Sequence, residues 1–323
     1  MRATGIGLAA GAMALAAAAT PLRAQHHSLD SVRVVTTDID RFWQAYDRAA
    51  KAPTFRDTLR AFFEDYYLDA SPGLVDFIRS RIGSEYDLIA TIKRHPGYYR
   101  AMRPATARIQ AAAPAVRRAL RRWGELYPAA VFPDVYFVIG RMSSGGTTSA
   151  DKILIGAEMY GRTPQSPDSE LSPWHRAVLK GPDSLDFIVA HELIHVNQTG
   201  PDPNTLLGSA IQEGAADFLG ELITGGTINA AQHQWGDAHE AELWKEFQGS
   251  MHGSDISHWL YDGDHTPPGR PSDLGYYVGY RITQAYYERA TDKTKAIGEI
   301  LAVKDYDAFL TASHYADKFA GSR

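Results

Sequence analysis

Two histidines separated by three residues, in the segment His191-Glu192-Leu193-Ile194-His195, have a spacing that suits metal binding. On an α-helix, residues four apart lie one turn apart on the same face, so both imidazoles can bind a single ion. Glu192 lies beside them, where its carboxylate can take a proton from water bound to that ion. The spacing predicts a Zn²⁺ site with His191 and His195 as ligands and Glu192 as a general base.

A zinc ion held by two histidines needs a third protein ligand if one position is to stay open for water. The sequence contains no cysteine, so this ligand must be an acidic residue or another histidine. Glu213 follows His195 after seventeen residues, in a helix-like segment rich in small residues, and Asp217 lies one turn further on the same face. We expect Glu213 to bind the metal and Asp217 to hold the other ring nitrogen of His191. The alternative for each acid is a solvated position on a helix surface.

A further predicted helix begins near Asp273 and carries paired glycines and paired tyrosines. Gly275 and Gly279 are four apart, a spacing that permits close helix packing, with the metal-binding helix as one candidate partner. Tyr276 and Tyr280 are also four apart, and a tyrosine hydroxyl near the metal could stabilise an oxyanion. Core packing explains either tyrosine equally well, so both stay candidates.

The elements that position these residues follow from the apolar pattern. Asp183 or Ser184 can cap the start of the metal-binding helix, Gly200 suits its end, and its buried stripe consists of Leu185, Ile188, Val189, Leu193 and Val196. Earlier in the chain, residues 38–127 have the pattern of successive helices interrupted by prolines.

Between these helical regions, β-branched and aromatic runs at 135–139 and 153–155 predict two strands. The glycine- and serine-rich segment 143–149 predicts a hairpin with a long tip. We therefore expect an α+β fold that is predominantly helical, with a small antiparallel sheet. An N-terminal helical region at 25–130 and a zinc-binding region at 131–323 should form one continuous fold.

Residues 1–24 have the layout of a secretory signal peptide, with Arg2 before an apolar run and Ala24 at the predicted cleavage site. Pro21 and Arg23 interrupt the run too early for a membrane-spanning helix. A lipid-modified cysteine is excluded because the chain has none, and the net charge of −5 argues against a nucleic-acid partner. We predict a periplasmic or secreted protein with no stable membrane anchor after cleavage.

The arrangement His191-Glu192-x-x-His195 followed by Glu213-x-x-x-Asp217 resembles the gluzincin metallopeptidases, in which the two histidines and the downstream glutamate bind zinc. This resemblance implies a gluzincin-like fold, bound zinc and peptidase activity.

A second resemblance covers most of the chain after residue 24. It is to a bacterial family of predicted zinc-dependent proteases, related to the gliding-motility lipoprotein B family, some of whose members lack the zinc motif. The matching segments are 40–47, 137–140, 145–147 and 275–282. In gluzincins the strand before the metal-binding helix commonly pairs with the substrate backbone, which makes 153–160 the candidate strand here, but an ordinary sheet strand is the favoured interpretation of its residues.

The leading functional hypothesis is an exported zinc-dependent hydrolase of peptide bonds that acts on peptides or proteins. Glu192 would take the proton of the attacking water and pass it to the leaving amine. The alternative is a non-catalytic periplasmic binding or assembly protein on a metallopeptidase scaffold. A structural zinc site normally has four protein ligands and needs no Glu192, which favours the hydrolase. Hydrolysis of a non-peptide amide is a third possibility.

Overall fold

The N-terminal part of the chain is helical, and serine and threonine side chains begin several of its helices. In the computed structural model, which describes residues 28–149, 151–261, 263 and 266–320, the hydroxyls of Thr54, Ser71 and Ser84 each accept a hydrogen bond from a backbone N–H in the first turn. The predicted signal peptide lies outside these described residues. The helices are α1 (Thr37–Ala49), α2 (Phe55–Phe62), α3 (Pro72–Phe77), α4 (Glu85–Arg94), α5 (Pro96–Gln110) and α6 (Ala113–Leu126).

Two of these helices continue into a wider π-helical turn, α2 over Phe63–Tyr67 and α3 over Ile78–Ile82. The second turn ends at Gly83, whose φ of 82° lies in the left-handed region that favours glycine. The chain therefore changes direction sharply directly after Ile82.

The sheet contains β1 (Val34–Val35), β2 (Asp134–Val138), β3 (Gly146–Ser149) and β4 (Lys152–Gly156) in the order β1-β2-β4-β3. β1 and β4 run parallel to β2, whereas β3 is antiparallel to β4. The predicted hairpin between 135–139 and 153–155, and with it the purely antiparallel sheet, is wrong. The segment 143–149 is no loop tip, because it supplies β3.

Polarity explains this mixed topology. Ile153, Leu154 and Ile155 of β4 are fully buried, and a strand of this kind is favoured between two others. The Gly-Thr-Thr-Ser sequence of β3 is partly exposed and suits an edge. β4 therefore lies between β2 and β3. After β2 the chain first forms the edge strand β3 and then turns back to form β4 between them.

The C-terminal part adds seven helices within the described residues. α8 ends before Gln198 rather than at Gly200, and the Ser184 side chain makes no capping hydrogen bond. The helices are α7 (Pro173–Val178), α8 (Leu185–Asn197), α9 (Leu206–Thr224), α10 (Ala230–Gln248), α11 (Leu274–Arg289), α12 (Lys293–Leu301) and α13 (Tyr306–Ser313).

α11 packs against α9 through glycine. A Cβ at Gly279 would overlap the carbonyl of Ala210, and a Cβ at Gly214 would overlap the backbone of Gly279 and Tyr280. Gly279 of the predicted glycine pair therefore serves close helix packing, but its partner is the helix of Glu213 rather than the helix of the two histidines, and Gly275 lies instead against Trp259 and Leu260.

The predicted α+β, predominantly helical class is confirmed. One hydrophobic core includes Phe42 and Trp123 of the N-terminal helices together with Phe137 and Leu193. β1 also joins the N-terminal region to the sheet by pairing with β2. No helix in the described ranges has the length and apolar character needed to cross a lipid bilayer.

Candidate metal centre

α8 and α9 bring the three predicted ligands together. The Nε2 atoms of His191 and His195 lie 3.0 Å apart, and Oε2 of Glu213 lies 3.3 Å from each of them. All three side chains are largely buried. Among the described residues these are the side chains whose ligand atoms converge closely enough to hold one ion.

Hydrogen bonds at the far side of each ring determine which nitrogen faces the centre. Nδ1 of His191 lies 2.8 Å from Oδ1 of Asp217, which can only accept, so Nδ1 donates and Nε2 carries the lone pair. Gln198 orients the ring of His195 in the same way, by accepting a hydrogen bond from its Nδ1. Its amide nitrogen donates to the carbonyl of Gln212, so its Oε1 accepts from Nδ1 of His195 at 2.8 Å.

Two imidazole lone pairs and one carboxylate oxygen can thus point at a common centre, an arrangement that could hold a cation. Two nitrogen donors and one oxygen donor at this spacing match the ligand set of a catalytic zinc site. The residues present therefore fit a zinc ion, and Asp217 has the position predicted for it behind His191.

The pKa shifts of His191 and Glu213 show that the cluster of ligand side chains favours positive charge. Burial lowers the pKa of His191, but its hydrogen bonds to Asp217 and Glu213 outweigh burial and raise it well above the usual value. Burial favours the neutral form of Glu213, but the imidazoles of His195 and His191 hold its pKa well below the usual range. Glu213 is therefore an anion, and the imidazoles beside it hold a proton that a bound metal ion would replace.

Glu192 is buried beside this centre without belonging to the ligand set. Burial raises its pKa, and the neighbouring His195 and His191 partly offset the rise. A raised pKa suits a carboxylate that must take and return a proton near neutral pH. Its carboxylate lies against Gly146 of β3, where a Cβ would overlap it, so glycine is required at that position.

A cavity of about 600 Å³ opens over the centre. β3 lines one side through Gly146, Thr147 and Thr148, and apolar residues such as Ile211 and Ile300 line another. The predicted substrate strand, 153–160, cannot pair with a substrate, because both neighbours of its strand β4 are already present. The edge strand beside the cavity is β3, with no strand on its outer side in the described part of the sheet.

The structure brings one of the two predicted tyrosines to the cavity. Tyr276 lines it, with its ring centroid 6.2 Å from that of His191. Tyr280 lies elsewhere, because its hydroxyl donates to Glu221 at 3.0 Å and its ring packs edge-on to Phe218. Tyr280 is therefore not an oxyanion donor in this arrangement.

Sequence reasoning missed Tyr261, whose hydroxyl donates to Oε1 of Glu213 at 2.5 Å and leaves Oε2 facing the histidines. Tyr261 lies in the long segment between α10 and α11 with a φ of 59°, where no periodic pattern marks it. Asn229 was also missed, and its amide donates to Oδ2 of Asp217 at 2.5 Å. The role of Gln198 could have been predicted, since it lies three residues after His195 at the end of the same helix.

Comparison with known proteins covers nearly the whole described chain. The sequence model of the family described as "Gliding motility protein GldB" matches residues 24–317. The chain belongs to this family. The family is one of gliding-motility lipoproteins, which makes this a protein of the cell envelope. No curated protein and no solved structure shows significant similarity to the chain.

Proposed function

We propose that the protein is an exported zinc-dependent hydrolase of peptide bonds, periplasmic or secreted. One observation carries the proposal. The buried carboxylate of Glu192 lies at the ligand centre, outside the ligand set, and faces a cavity large enough for a peptide segment. A purely structural zinc site has no use for such a group, because all its positions are closed by protein ligands.

His191, His195 and Glu213 would hold the zinc. When bound in a site with three protein ligands, zinc polarises a carbonyl oxygen and lowers the pKa of water to about 7. The three ligand side chains are held in place because His191 donates to Asp217, His195 donates to Gln198, and Glu213 accepts from Tyr261. The ligand geometry thus exists before substrate arrives, which is the main requirement for electrostatic catalysis.

The remaining steps belong to side chains and backbone of the cavity wall. Glu192 accepts the proton of the attacking water at its carboxylate and returns it to the nitrogen of the leaving amine. Tyr276, which lines the cavity beside His191, would donate its hydroxyl to the developing oxyanion. The outer backbone groups of β3 offer hydrogen bonds to an extended substrate chain.

The second candidate function is a non-catalytic binding or assembly protein on a metallopeptidase scaffold. The family description favours it, since that description names motility and no reaction. It leaves the burial of Glu192 without a purpose, and a buried carboxylate with a raised pKa costs stability at neutral pH. Hydrolysis of a non-peptide amide would use the same residues.

The test compares wild-type protein with Glu192→Gln, and with Glu242→Gln as a matched control on the exposed surface of α10. Metal analysis should find one zinc per chain in all three proteins. In a peptide-library digest read by mass spectrometry, Glu192→Gln should lose about 100-fold to 10,000-fold in turnover, the range for a general base. The Glu242→Gln control should digest like the wild type.

Three outcomes contradict the proposal in different ways. Absence of zinc rejects the metal centre. Equal digestion by wild type and Glu192→Gln rejects the mechanism. Bound zinc without cleavage of any peptide supports the binding protein, or a hydrolase of other amides, which an acylated amine library would reveal.

A further inference from the structure

We propose that Arg81 binds a carboxylate of the substrate beside the reacting centre. Preferred substrates would then carry a negative charge, either a C-terminal carboxylate or an Asp or Glu side chain, about one or two residues from the cleaved bond. The inference rests on the proposed function, because it places a peptide in the cavity.

The position of Arg81 is the first argument. Its guanidinium lines the cavity together with Glu192, and its Nη2 donates to Oγ1 of Thr147 at 2.9 Å. Thr147 is the neighbour of Gly146, which lies against the Glu192 carboxylate. Since a strand advances about 3.3 Å per residue, a group held by Arg81 lies within one or two residues of the bond that Glu192 serves.

The local backbone fixes Arg81 more firmly than an ordinary surface arginine. Its carbonyl accepts hydrogen bonds from Nε of Arg141 at 2.9 Å and from Oγ of Ser143 at 3.1 Å. The π-helical turn that carries it closes with a 2.8 Å hydrogen bond from the N–H of Gly83 to the carbonyl of Ile78. Such turns are common at functional sites. These contacts fix the backbone that carries Arg81, while the hydrogen bond from Nη2 to Thr147 orients the side chain itself.

The distribution of charge is the third argument. Of the described residues that line the cavity, Arg81 is the one arginine or lysine. Some arginines of the N-terminal region are paired with acids, such as Arg48 with Glu64 and Arg103 with Asp47. Arg81 lines the cavity and makes no ion pair with any described residue, and one of its five N–H donors is held by Thr147. A planar fork of donors is the group best suited to a carboxylate.

Peptide binding to zinc-loaded Glu192→Gln protein tests this without relying on turnover. The probes are N-acetylated pentapeptides of alanine and leucine, with a C-terminal free acid or amide, and amidated peptides with one interior Glu or Gln. Titration calorimetry gives each dissociation constant. We expect the carboxylate-bearing member of at least one pair to bind about 10-fold to 100-fold more tightly. The pair that shows the preference identifies the source of the carboxylate.

Substitution then assigns the preference to one residue. Arg81→Gln should abolish it while leaving the affinity for neutral peptides nearly unchanged. Arg79→Gln removes one positive charge from an exposed position of the same turn and should preserve the preference for carboxylate-bearing peptides. Arg81→Lys should retain part of it, because the charge stays but the fork is lost.

The inference is overturned if no peptide binds, if acid and neutral peptides bind equally, or if the preference survives in Arg81→Gln. The proposed function fails on a separate measurement, namely absence of cleavage by the zinc-loaded protein that keeps Glu192. Tight, Arg81-dependent binding without cleavage would support the anion site and reject the hydrolase.

Discussion

Glu158 and Glu213 are both buried carboxylates, but they have different partners. Glu158 follows β4 and accepts hydrogen bonds from the backbone N–H groups of Gly140 at 2.7 Å and Met142 at 3.1 Å. Glu213 faces two imidazoles from another helix and a tyrosine hydroxyl, at the bottom of an open cavity.

The consequence for ionisation is opposite at the two sites. Burial raises the pKa of Glu158 to about 7, and its backbone hydrogen bonds offset this only in part. The imidazoles hold the pKa of Glu213 well below its usual range despite burial. Glu158 needs nothing from outside the chain and fixes the loop that leads into β3. Glu213 belongs to a cluster of three side chains that could hold a cation.

Removal of each carboxylate gives the largest expected contrast. Glu213→Gln should weaken zinc binding by more than about 100-fold, because the loss of a ligand exceeds the 10-fold to 100-fold effect of outer hydrogen-bond partners. Glu158→Gln should leave zinc affinity nearly unchanged, since its carboxylate touches no ligand. Competition with a chromophoric chelator measures both. Equal zinc affinities in the two variants would remove the distinction between the sites.

The pH dependence of stability sharpens the comparison. The folded-state pKa of Glu158 is about 7 against an ordinary value of 4.5, so the folded protein retains a proton that the unfolded chain releases between these pH values. Stability from this group is therefore fully present below about pH 4.5 and is lost as the pH rises through 7, by about 3 kcal/mol in total.

Urea unfolding of wild type and Glu158→Gln from pH 4.5 to 8 isolates this effect, because every other titrating group is common to both. The wild-type free energy of unfolding should fall relative to the variant across that interval. A constant difference would mean that Glu158 is already ionised when folded at pH 4.5.

The smallest contrast lies within the metal centre, between the two groups that hold the ligand histidines. Asp217→Ala should weaken zinc binding by about 10-fold to 100-fold. Gln198→Ala should have a smaller effect, since a hydrogen bond to a neutral amide is about half as strong as one to a carboxylate. The same chelator competition measures both. A larger loss of zinc affinity in Gln198→Ala than in Asp217→Ala would show that the carboxylate on His191 contributes no more than the amide on His195.

Local spacing predicted the parts of the site that lie on two helices. His191 and His195 share a face because of the helical repeat, and Asp217 lies one turn beyond Glu213 for the same reason. That α8 and α9 meet could be inferred only from the small residues around Glu213. The close packing of Gly279 was also predictable, but its partner helix was not.

The remaining parts depend on contacts between distant segments. Tyr261 reaches Glu213 from a non-repetitive segment, and Arg81 reaches β3 from the N-terminal helices. The order of the strands depends on whether β3 or β4 takes the central place in the sheet. The hydrophobicity of each segment taken alone does not decide this. The candidate role of 153–160 as a substrate strand is wrong for this reason, whereas the favoured alternative, an ordinary sheet strand, is confirmed for Lys152–Gly156.

The glycine contact between α9 and α11 determines which wall of the cavity can move. Because only hydrogen fits at Gly214 and Gly279, the two backbones touch, and neither helix can slide or rotate without the other. We therefore expect Glu213 and Tyr276 to keep their separation. Under the proposed function, a movement that admits substrate would involve the opposite wall, where β3 and Arg81 lie.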